Sequence, residues 1–142
     1  MPFDLASAQA AGLPAGGDLI PVALGGAPVR FAGAVFTCAT DAAGTYTAPI
    51  RLPRGARVLG LILNSSVTLG GIATIAIGIA GAAGKYRAAA TYTPVDTLTL
   101  VGLNAALLVP LAAEEQILLT VAAASLPASG RFFFGFLYTT NH

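Results

Sequence analysis

The sequence predicts an all-β fold: a β-sandwich of jelly-roll type preceded by an irregular N-terminal arm. Three observations predict it. Bulky and small residues alternate with period two through short runs, turn residues recur every 8–15 positions or so, and no long stretch carries helical spacing. A parallel α/β arrangement needs crossovers of a dozen or more residues between strands, and none is marked. The 142 residues are enough for one domain with its own core. The expected division is an arm or edge segment over 1–28 and the sandwich over 29–142.

The first 26 residues are rich in Ala, Gly and Pro, and Pro2, Pro14 and Pro21 interrupt regular structure. Leu5 to Ala11 has room for a helical turn. This is the kind of arm that lies over a neighbouring subunit. From Val29 the pattern changes. Val29, Phe31, Gly33, Val35 and Thr37 share one parity, and Arg30, Ala32, Ala34, Phe36 and Cys38 the other. Asp41-Ala42-Ala43-Gly44 makes a turn. Thr45 to Leu52 follows as a strand in which Pro49 marks a bulge or an edge. Leu52-Pro53-Arg54-Gly55 turns the chain into a strand over Arg57 to Leu63. There Leu59, Leu61 and Leu63 are expected on one face, with Val58, Gly60 and Ile62 on the other. Ile72 to Ile79 is the cleanest strand, and it reads as a neighbour of the preceding one.

Gly81-Ala82-Ala83-Gly84 reads as a loop, followed by a long connection with one helical turn at Ala88-Ala89-Ala90, where local propensity favours helix. Thr97 to Val101 is a short strand. Leu103 to Val109 fits either strand or helix until Pro110 ends it. Glu114-Glu115 reads as a solvated turn before a buried strand over Gln116 to Ala123. Pro127 to Gly130 turns the chain into a last strand, Arg131 to Tyr138, with Phe132, Phe134, Phe136 and Tyr138 on one face. An aromatic row belongs in a core or interface, because each ring removes a large apolar area from water.

Composition sharpens the functional reading. Hydrophobic residues make up 56% and charged residues only 9%, against typical values of roughly 45–50% and 25%. So few charges leave a monomer's surface thinly covered, and strands that are apolar or small on both sides favour burial against another subunit. Formal charge is +1, with no basic block, so no nucleic-acid footprint is present. The uncharged stretch Val58 to Gly84 is broken by Asn64-Ser65-Ser66, Thr68 and Gly70-Gly71, which argues against a membrane span. No basic region precedes an apolar one at the N-terminus, so a secretory signal is not expected.

The residues that carry chemistry are sparse. Cys38 stands alone in an apolar run and reads as a small buried hydrophobe. The sole histidine, His142, is terminal and poorly suited to hold a rigid catalytic geometry. Gly81 to Tyr86 only faintly evokes a phosphate loop, since Tyr86 replaces the hydroxyl residue that would meet magnesium. No enzyme, cofactor or metal is expected. Lys85, Tyr86, Arg87, Arg54 and Arg57 are the candidate interface contacts, with Asp96, Glu114 and Glu115 as possible ion-pair partners.

The segment Ile50-Arg51-Leu52-Pro53-Arg54-Gly55-Ala56-Arg57-Val58-Leu59-Gly60 resembles part of a family of small proteins encoded among tailed-phage head genes. Leu69 to Gly81 and Gly84-Lys85-Tyr86-Arg87-Ala88-Ala89-Ala90 are similar as well, so the resemblance spans roughly residues 45 to 138. It implies a virion or capsid-associated structural protein of a bacteriophage or gene-transfer particle, assembled in the host cytoplasm. It supplies no site residue to carry over. The expectation is a decoration or cement protein, a homo-oligomer with a trimer as first choice, packed on the major capsid protein or another virion protein. A tail, neck or fibre-base protein stays open beside it. So does a carbohydrate or receptor-binding module using Tyr46, Tyr86, Tyr92 and Tyr138.

Overall fold

Period-two alternation leaves each strand with one face to bury, and two sheets stacked face to face satisfy that need. The computed structural model describes residues 28–103 and 106–140. These form eight strands: β1 (Val29–Thr37), β2 (Gly44–Leu52), β3 (Ala56–Ser65), β4 (Thr74–Ile79), β5 (Ala82–Ala90), β6 (Thr99–Val101), β7 (Glu115–Ala122) and β8 (Arg131–Thr140). The first sheet has the order β1-β8-β3-β6 and the second β2-β7-β4-β5. All pairs are antiparallel. The first strand pairs with the last, the second with the seventh, the third with the sixth and the fourth with the fifth. The chain is therefore one long antiparallel ribbon folded across itself, an all-β two-sheet sandwich. The expected arm and His142 lie outside the described residues.

The core sits between the sheets. Phe132, Phe134 and Phe136 of β8 are fully buried, as are Leu61 and Leu63 of β3, Ile75 and Ile77 of β4, and Ile117 and Leu119 of β7. Aromatic rings cross the gap edge to face. Tyr86 of β5 meets Phe136 at 5.0 Å, and Phe36 of β1 meets Tyr46 of β2 at 5.5 Å between ring centroids. The expected core row on the last strand is thus present, with Tyr138 half-buried at its end. Cys38 is buried, and desolvation, with Asp41 adding to it, pushes its thiol up. Gly55 closes the Pro53–Ala56 turn at positive φ, with Ala56 N–H donating to Pro53 C=O. Pro49 lies on an edge strand inside the irregular stretch between Thr47 and Arg51, whose carbonyls at Ala48 and Ile50 accept from Gln116 Nε2.

Four expectations are corrected. Residues 82–90 are strand, not a loop and a helical turn: Gly81 forms the tight turn and β5 pairs with β4. Pairing with β4 and burial of Tyr86 override the helix preference of three alanines. The parity of β3 switches at a bulge between Val58 and Gly60, so Val58 joins Leu61 and Leu63 in the core while Leu59 stays half-buried. The strand over Ile72 to Ile79 begins only at Thr74, and it lies in the other sheet from β3 because the intervening segment crosses the sandwich. Glu115 opens β7 with its side chain largely buried, so it is no solvated turn residue.

β5 contains a wide irregularity. Ile79 pairs with Ala82 but Ile77 with Arg87, so Gly78 alone spans the stretch facing Ala83 to Tyr86. A Cβ on Gly78 would overlap the carbonyl oxygens of Ala82 and Ala83, so only glycine lets the bulged backbone lie this close. Gly78→Ala is expected to lower unfolding free energy by about 1–3 kcal/mol, read as a lower urea midpoint at constant slope. Gly71→Ala, where an added Cβ meets nothing, should change stability by less than about 0.5 kcal/mol. Equal midpoints for the two variants would show that the close approach at Gly78 is not a constraint.

Candidate assembly surface

The two outer faces differ in chemistry. In β1 the even residue Ala34 is buried, so Val29, Phe31, Gly33, Val35 and Thr37 face outward. Register then places Phe133, Gly135, Leu137 and Thr139 of β8 beside them, followed by Ile62 and Asn64 of β3 and Leu100 of β6. Val29, Phe31 and Val35 are each more than half exposed, and Leu100 is 73% exposed. The bulkier parity of β1 has thus gone to solvent rather than into the core. Charge appears on this face toward its ends, at Arg57 on one side and at Arg131 and Asp96 on the other, where Asp96 lies beside Asn64 and Phe133. The outer face of the second sheet instead presents mostly small or polar groups, Thr45, Thr47, Arg51, Gln116, Thr120 and Thr74, around one half-buried leucine, Leu118.

The apolar face also carries a close local packing of ring on backbone. Gly33 and Gly135 stand directly opposite each other on β1 and β8. The Phe31 ring lies over both and stacks on Phe133 at 5.9 Å with 20° between planes. A Cβ at Gly33 would come within 2.8 Å of that ring, and one at Gly135 would overlap it. An aromatic laid across paired glycines restores contact that a bare glycine pair lacks. The sequence showed this parity but could not say which side of β1 would be covered.

A polar cluster closes the edge of the second sheet. The β5 bulge brings two sequence neighbours to one carboxylate. Lys85 Nζ pairs with Glu115 Oε2, and Tyr86 OH donates to Glu115 Oε1 at 2.5 Å. Burial pushes the Tyr86 phenol well above its ordinary range, and the hydrogen bond to and charge of Glu115 add to this. Arg87 donates to the carbonyls of Ile75, Ala90 and Thr91 and lies 5.8 Å over the Tyr92 ring. Burial lowers its pKa, against a raising contribution from Tyr92. Arg57 NH1 donates to Leu108 O at 3.2 Å, while Arg54 is exposed at the turn before β3. Of the expected contact residues, Lys85 and Tyr86 are thus brought together, Arg87 and Arg57 bind backbone within the fold, and Arg54 faces solvent. Beside the cluster lies a groove of about 690 Å³, lined by Ile79, Lys85, Leu103, Leu111 and Glu114 among others.

Among the described residues no group of three or more His, Cys, Asp or Glu is placed to hold a metal ion, and no helix is long and apolar enough to cross a membrane. No protein-family model matches the sequence, and no curated protein matches it. Solved structures do. The fold is similar to a chain of the cyanophage Pam1 capsid asymmetric unit (23% identity, TM-score 0.62, over 81% of this chain and 85% of that one). It is similar to a chain of the Ralstonia phage GP4 capsid (19%, 0.60, 87% and 90%) and of the acid-stable capsid of Helicobacter pylori bacteriophage KHP30 (15%, 0.56, 78% and 86%). At these identities the likeness is one of fold.

The Tyr86 environment makes stability depend on alkaline pH. Below about pH 10 the phenol is protonated in both folded and unfolded chains. Above that, the unfolded chain releases the proton and the folded chain keeps it, so this contribution is lost by about 1.4 kcal/mol per pH unit. Urea unfolding followed between about pH 10 and 11 should show a steeper loss for the parent than for Tyr86→Phe, by a slope that rises from about half a proton toward one. Parallel curves would show that the hydroxyl is not held neutral by Glu115 and burial.

Proposed function

We propose that this chain is a non-enzymatic structural component of a phage-like virion: a jelly-roll decoration or cement protein that packs as a homo-oligomer on the major capsid protein. The exposed apolar outer face of the first sheet carries the reading. An exposed apolar face with charge only at its margins, on a chain with so few charges, is stable only when covered, and an interface of standard size covers about 800 Å² on each partner. The strand order supports the jelly-roll description, since eight strands in two sheets with first paired to last is the ribbon that such a roll requires. The three similar chains all belong to phage capsids, which supports a head location over a tail, neck or fibre-base one. Arg54, exposed at the turn before β3, is the charged contact this reading retains.

The carbohydrate or receptor-binding alternative has less to stand on. Tyr86 and Tyr92 are buried, and Tyr46 and Tyr138 are half-buried, so the four rings form no open platform. Binding is the whole mechanism proposed here: apolar area leaves water at about 25 cal/mol per Å², and many copies on one shell add avidity.

The test uses the full chain with empty heads of its own particle. Phe31→Asp/Val35→Asp should weaken head binding on the order of a hundredfold, with a circular dichroism spectrum like the parent's. Binding by the parent should survive about 1 M salt, because screening acts on charges and this face has few. Heads that take up the variant as well as the parent, or release the parent in salt, would overturn the proposal.

A further inference from the structure

The described sandwich has four edge strands, β1 and β6 in the first sheet, β2 and β5 in the second. An edge strand offers a row of unpaired backbone N–H and C=O groups, and proteins that stay apart blunt such rows. Three of the four are blunted here. β6 is only three residues long. β2 carries Pro49, an irregular stretch between Thr47 and Arg51, and the charge of Arg51. β5 carries its wide bulge and both Lys85 and Arg87. β1 has none of these devices. It runs nine residues without proline, lysine or bulge, its register against β8 is unbroken from Val29 to Thr37, and its one charge is Arg30.

β1 is also self-complementary. Two copies related by a two-fold axis perpendicular to the sheet pair antiparallel, and the register that overlaps all nine residues centres on Gly33. It sets Phe31 opposite Val35 of the second copy, Ala32 opposite Ala34, and Val29 opposite Thr37. An aromatic facing a β-branched residue is a favourable cross-strand pair. Arg30 meets Phe36, and the two copies' Arg30 residues stand six positions apart along the strand, roughly 20 Å, beyond the screening length at physiological salt.

We infer that β1 is a homotypic docking edge, whose occupant is β1 of a second copy of this chain in that register. The inference deepens the proposed function and rests on it for its purpose. The two-fold axis keeps outward residues on one side, so the apolar faces of both copies merge into a single eight-stranded surface that meets the shell. The contact is isologous and closes as a pair; a trimer would need a second contact elsewhere.

Disulfide trapping of the full chain tests it, in a Cys38→Ala background. Phe31→Cys/Val35→Cys places the two thiols opposite each other across the pair and, within one copy, about 13 Å apart along the strand, too far for an internal bridge. Mild oxidation should give covalent dimer on the order of ten times that of Val29→Cys/Val35→Cys or of Phe31→Cys alone. Equal trapping by all three would overturn the register. No trapping by any of them, with the Cys38→Ala chain still binding heads, would overturn the homotypic edge and leave the proposed function standing; loss of head binding by that chain as well would sink both. Trapping that instead joins Val35→Cys to a cysteine introduced among residues 19–24 of the same copy would show the edge to be occupied by the chain's own N-terminal segment, and would also overturn the inference.

Discussion

Three phenylalanines on one side of β8 hold the two sheets together. Phe132, Phe134 and Phe136 point into the sandwich, and each meets another ring: Tyr92, its neighbour Phe132, and Tyr86 respectively. Each such ring is a large apolar load, and edge-to-face contacts add to what burial alone supplies. Because β8 lies inside the first sheet, between β1 and β3, fixing its inner row also fixes what the outer row must be. Phe133, Gly135 and Leu137 have no choice but to face away from the core. The apolar outer surface is therefore a consequence of the same strand that builds the interior.

Much of this was legible from alternation. The Phe row, the buried Cys38, the turn at Gly55 and the edge character at Pro49 follow from parity and from what proline and glycine can do locally. What was not legible depends on partners. Val58 faces the core only because a bulge at Leu59 resets the parity against β8, and a bulge is a property of two strands. Ala88 to Ala90 look helical by themselves and become strand because β4 offers them a ladder. Glu115 looked solvated beside Glu114 until Lys85 and Tyr86, some thirty residues earlier in the chain, were folded onto it. The outward turn of Phe31 was hidden for the same reason: sequence gives two parities, and only the neighbouring sheet decides which is covered.

The bulges divide the molecule into a guarded half and an open half. In the second sheet, irregularities in β2 and β5 interrupt the ladder at both edges, and the side chains of Gln116 and Arg87 satisfy backbone carbonyls there. The outer face there is threonine-rich and wettable. In the first sheet β1 is straight, and the outer face is apolar. A chain with so few charges cannot protect every surface, and here the protection is concentrated on one sheet.

That asymmetry has a physical consequence for assembly. An edge contact of nine residues is small for a stable complex in free solution, where association must overcome the loss of rigid-body freedom. On the proposed shell the balance would change, because copies held by their apolar faces would be confined beside one another and meet at high effective concentration. The inferred edge pairing would in turn double the apolar area that each unit presents, so that each contact would strengthen the other. In the proposed assembly, a surface left uncovered in the single chain would act as one half of a cooperative pair of contacts, strongest where many copies share a common support.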